Sequence, residues 1–69
     1  MTPEQQEITR RKAEIASELK ALFNTNMKIS DWDIPEADDQ KIATMLIDVM
    51  QEAVDELRAD IARGDYDTY

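Results

Sequence analysis

An all-α hairpin of two helices is the fold class this sequence predicts, and three observations predict it. A Thr-Pro-Glu-Gln start opens a run of helix formers carrying one apolar stripe. A second run, Ile42 to Ile61, places apolar side chains at helical spacing over about half its girth. Only one segment alternates like a strand, and it has no partner in the chain.

The first helix is expected over about residues 3–23. Thr2 caps it, Pro3 suits its first turn, and Gln5 completes a Thr-x-x-Gln capping box, with Glu4 favouring the helix dipole. Ile8, Ile15, Leu19, Leu22 and Phe23, with Ala16 beside them, form one narrow stripe. Arg11 and Lys12 interrupt it, so the first turns project beyond the core. Asn24-Thr25-Asn26 is expected to end the helix, because Asn tolerates the left-handed conformation that closes helices.

The segment from Met27 to Asp39 reads as an extended apolar connector. Met27, Ile29, Trp32 and Ile34 alternate with Lys28, Ser30, Asp31 and Asp33, and lying over the helices would dispose of their apolar surface. The long helix is expected over about residues 36–63. Asp33 with Glu36 and Pro35 offers one start, and Asp38 offers a competing cap. Arg63 falls in its last turn and Gly64 is placed to close it. Residues 65–69 read as a flexible acidic tail, and the whole of 1–69 as a single helical domain.

The long helix presents about twice the apolar arc of the short one. Met45, Leu46, Ile47, Val49, Met50 and Val54 are the residues expected to be left over as a dimer interface, giving a four-helix arrangement. Burying six such side chains is worth about 1.5–3 kcal/mol each before ordering costs. Length argues the same way. A chain of 69 residues has a marginal core, and with no Cys and no His neither disulfides nor the common zinc sites can reinforce it.

Charge bounds the partners. The net charge is −8, and it is unevenly placed, with +1 over residues 1–30 and −9 over residues 31–69. This balance disfavours direct nucleic-acid or anionic-lipid binding and favours a protein with a basic surface. No signal-like apolar core and no run of ~20 apolar residues occurs, so a cytoplasmic protein with no membrane span is expected.

Chemistry is sparsely represented. Without His or Cys there is no triad or thiol nucleophile, and neither a catalytic residue, a metal ligand nor a cofactor is assigned. Asp31-x-Asp33 opens like an EF-hand loop, but Pro35, Glu36 and Ile42 occupy positions where ligand, Gly and Glu belong. Glu52-x-x-Asp55 resembles the acidic spacing of Mg²⁺-dependent all-α nucleotide pyrophosphohydrolases, whose second acidic pair has only Glu4 and Glu7 as candidates here. That resemblance implies an enzyme as a remote alternative.

Binding is better represented. Asp48, Glu52, Glu56 and Asp60 form an i,i+4 acidic ridge with carboxylates about 6 Å apart along the axis. Solvation alone would also account for such a ridge if Arg58 and Arg63 relieve it. Trp32 between Asp31 and Asp33 suits an anchor with an acidic rim, or else a plug on the hairpin's open side. Asp31, Trp32, Asp33, Glu36, Asp38, Asp39, Asp48, Glu52 and Glu56 are therefore the expected partner-binding set. Together they suggest an inhibitor or antirepressor-type module, of the size and charge common among phage and mobile-element proteins. It would mimic a phosphate backbone and block a nucleic-acid-facing surface. A structural adaptor held by apolar contacts is the alternative.

Overall fold

The computed structural model describes all 69 residues and contains two helices, α1 from Pro3 to Asp33 and α2 from Asp39 to Ala62, which pack against each other. No helix is long and apolar enough to cross a membrane. The start of α1 is the expected capping box. The Thr2 backbone N–H donates to Gln5 Oε1 at 2.9 Å, and the Gln5 N–H donates to Thr2 Oγ1 at 3.1 Å.

The end of α1 corrects the sequence expectation. Helix continues through Asn24-Thr25-Asn26 and on to Asp33, so the extended connector shrinks to Ile34–Asp38. No residue other than Gly64 has a positive φ, so neither Asn adopts the conformation that would end the helix. Asn26 instead donates from Nδ2 to the Leu22 carbonyl at 2.9 Å, a back-bond compatible with the helix interior. The alternating apolar residues also satisfy the helical period. Met27 follows Phe23 by four residues and Ile29 follows Leu22 by seven, so both extend the existing stripe.

Between the two candidate starts of α2, Asp38 is the cap. Its Oδ1 accepts from the N–H groups of Gln40 at 2.9 Å and Lys41 at 3.4 Å. Ile34 to Ala37 form a separate turn, closed by the Ala37 N–H donating to the Ile34 carbonyl at 3.1 Å. The far end closes as a Schellman motif. Gly64 has φ +89°, its N–H reaches the Ile61 carbonyl at 3.0 Å, and the Asp65 N–H reaches the Asp60 carbonyl at 3.1 Å. The tail then turns back on itself, with the Tyr66 and Tyr69 ring centroids 5.5 Å apart.

The contact between the helices is short. On α1 the partly covered residues near the turn are Phe23, Asn26, Met27 and Ser30, and on α2 they are Ile42, Ala43, Leu46 and Met50. Every hydrogen bond involving a side chain, and every ion pair, joins residues no more than four apart. Apolar packing alone therefore holds α1 to α2. Further from the turn, Ile15, Leu19 and Leu22 of α1 and Val54 and Leu57 of α2 are all exposed, so the mutual cover of the helices is confined to the turn end.

Two quantities show how open the result is. The radius of gyration is 15.9 Å, against about 11 Å for a compact chain of this length. The accessible surface is 6260 Å², against about 4,500 Å² for a folded monomer of this mass. No residue is buried.

With so little tertiary packing, local caps carry an unusual share of stability. Asp38→Ala is expected to destabilise the fold by about 1 kcal/mol, with Asp38→Asn largely neutral. Gly64→Ala is expected to cost about 1 kcal/mol as well, since a Cβ there would lie 2.8 Å from Asp67 Oδ2 on a positive-φ backbone. Thermal unfolding followed by circular dichroism checks both.

Candidate functional site

The expected partner-binding residues fall into two groups. The first is the elbow. Asp31, Trp32 and Asp33 form the last turn of α1, Glu36 lies in the turn, and Asp38 and Asp39 cap and open α2. Five carboxylates thus sit within nine residues, all of them exposed. Asp38 and Asp39 are stabilised by the positive end of the α2 dipole. Asp31 and Asp33 face the opposite situation, because the last turn of α1 contains no base and its negative dipole end opposes them.

Trp32 is the elbow's most telling residue. It is 85% exposed, which removes the reading of it as a plug within the chain. Lys28, Asp31, Trp32 and Pro35 line an open depression, and Met27, Lys28, Asp31 and Asp39 line another beside it. Lys28 was absent from the expected set. It would have joined it had the helix been continued in sequence, since it lies three residues before Asp31 and four before Trp32 on one face.

The second group is the ridge. Asp48, Glu52 and Glu56 are exposed and take part in no ion pair. Arg58 makes no ion pair either, and Arg63 is committed to Asp60 and to Asp65, the latter at 2.9 Å. The hydrogen bonds that Arg63 donates to Asp65 and to Asp60, with the Asp60 charge, push its guanidinium above its usual range. Relief of the ridge by arginine therefore reaches Asp60 and stops there.

Elbow and ridge do not share one face. Asp39 and Asp48 are nine residues apart, two and a half turns, so they point to opposite sides of α2. From Asp39 to Glu56 the axis runs about 26 Å. A partner touching both groups must straddle α2.

The expected dimer residues also divide. Leu46 and Met50 are partly covered on the side turned to α1, whereas Met45, Ile47, Val49 and Val54 remain exposed. No three acidic side chains converge as a metal-binding group, and the depressions at the surface are open. Comparisons with protein families, with characterised proteins and with solved structures found no match.

Because Trp32 touches little in the free chain, Trp32→Ala is expected to move the melting temperature by less than about 3 °C. A larger fall would show that the indole is covered in the free protein.

Proposed function

We propose that this chain is a small protein-binding module whose acidic elbow and ridge occupy a basic surface of another protein. The observation that carries the reading is the elbow itself. A tryptophan 85% exposed stands among five carboxylates, none of which has an ion-pair partner in its own chain. An exposed Trp supplies a large desolvating anchor, and acids around it select a cationic rim on the target.

The basic surfaces most often left open on proteins are those that meet nucleic acid. Occupying one would inhibit the target, as an antirepressor does, with Asp31, Asp33, Glu36, Asp38, Asp39, Asp48, Glu52 and Glu56 standing in for phosphates. The ridge has one charge per about 6 Å, sparser than the phosphates of a single strand at about 3.4 Å. The elbow is denser, so it leads the contact and the ridge extends it. Self-association belongs to the same reading, because a chain with no buried residue needs cover.

A second reading is favoured by a different observation. Met45, Ile47 and Trp32 are all exposed, and an adaptor or assembly subunit could bind through them with little help from charge.

Capture of a target from host lysate on the immobilised protein, with graded salt and with duplex DNA as competitor, separates the two. Blocking of a nucleic-acid-facing surface predicts that capture falls more than about tenfold from low to physiological salt. It also predicts that DNA competes and that reversing Asp48, Glu52 and Glu56 to Lys abolishes retention. Capture that ignores salt, DNA and the triple reversal but is lost with Trp32→Ala would replace this reading with the adaptor.

A further inference from the structure

The extension of α1 to Asp33 brings Ile29 onto the same helix as Ile8, Ile15 and Leu22, and these four residues then recur at intervals of seven. All four are between 41% and 57% exposed. Leu19, halfway round the repeat between Ile15 and Leu22, is exposed as well. Sustained seven-residue spacing is the signature of a seam that packs against another helix with the same repeat. Within the chain α2 does not supply that helix, because the partly covered residues near the turn are Phe23, Asn26, Met27 and Ser30, and of the seam only Asn26 is among them, while Ile8, Ile15, Leu19, Leu22 and Ile29 stay exposed.

We propose that this seam is the interface with a second copy of the chain, α1 packing antiparallel against its own counterpart. Two observations name the occupant. The accessible surface exceeds that of a folded monomer by about 1,800 Å², more than the about 800 Å² each partner contributes to a stable interface. Charge allows α1 to meet itself, since residues 1–30 sum to +1 while residues 31–69 sum to −9. A partner of strong net charge would find little on this face to attract it, whereas a second α1 meets no large repulsion.

The direction follows from two positions in the repeat. Lys12 and Asn26 occupy the other seam position, with Leu19 between them. A parallel pair would stack Lys12 on Lys12 and lay two acidic α2 helices side by side. An antiparallel pair sets Lys12 against one of the isoleucines or Leu22, where its stem packs and its ammonium reaches water, and it draws the two acidic elbows apart. The expected interface thus moves from α2 to α1, which leaves Met45, Val49 and the ridge free.

The inference is independent of the target, because it is tested on the purified protein alone. Sedimentation equilibrium is expected to give the mass of two chains, and a single-chain mass up to millimolar concentration would overturn the proposal. Ile15→Glu combined with Leu22→Glu is expected to raise the dissociation constant more than about 100-fold, whereas Met45→Glu with Val49→Glu changes it less than about tenfold. The reverse pattern would return the interface to α2. If the first variant loses its helicity, spin labels on the wild-type background still decide. The chain has no cysteine, so single Cys substitutions at Gln6, Ser17 and Lys28 label cleanly. An antiparallel pair places the two Ser17 labels within about 25 Å and separates the Gln6 or the Lys28 labels beyond about 35 Å. Three equal short distances would show a parallel pair and overturn the assignment.

Discussion

One short apolar contact holds this molecule in its shape. Phe23 and Met27 of α1 and Ile42, Leu46 and Met50 of α2 are its partly covered apolar side chains, and neither a hydrogen bond nor an ion pair crosses between the helices. Partly covering five such side chains contributes about 1 kcal/mol apiece, the low edge of what a native domain needs before any ordering cost is met. Helices of this length gain most of their stability from packing and comparatively little from propensity. The first half of α1 and the second half of α2 therefore depend on caps and i,i+4 pairs unless something outside the chain covers them. The ion pairs Arg10–Glu7 and Arg11–Glu14, each three residues apart, lie at the surface and are worth a few tenths of a kcal/mol at most.

That dependence gives the division of charge a physical sense. α1 is almost neutral and carries an apolar seam, while the elbow and α2 hold nearly all the net negative charge. A surface meant to meet its own copy is best kept neutral, since like charges brought together oppose association. A surface meant for a cationic partner is best kept unpaired, since an internal ion pair would have to be broken on binding. Asp31 and Asp33 sit at the unfavourable end of the α1 dipole with no nearby base in that turn. Local costs of this kind are tolerated where a surface is used for something other than stability.

Much of the fold was legible because its signals are local. The Thr2–Gln5 box, the Asp38 cap and the Gly64 closure each involve residues within five positions of one another; the first and last form as the sequence implies, and Asp38 is one of the two starts it offered. The end of α1 was misread for an equally local reason. Asn24-Thr25-Asn26 is a stop signal only on average, and Met27 and Ile29 fit both a strand's alternation and a helix's stripe, whereas Trp32, three residues on, keeps only the helical spacing. Phe23 and Met27 are both partly covered at the end where the two helices pack, and cover by α2 is a non-local term that favours the helix. The same extension explains why the seven-residue repeat was missed, since Ile29 counted as part of a connector.

Composition and periodicity by themselves determined that this is an all-α chain of two helices, where the first begins and the second ends, and that its acids gather in the second half. They also placed more apolar surface on the helices than two narrow stripes can cover. Only the tertiary structure decided which of those residues meet. It partly covers Leu46 and Met50 and leaves Trp32, Met45 and Leu57 exposed to water. The reason is that a helix's period is set by its own backbone, whereas the angle at which two helices cross is set by side chains far apart in sequence.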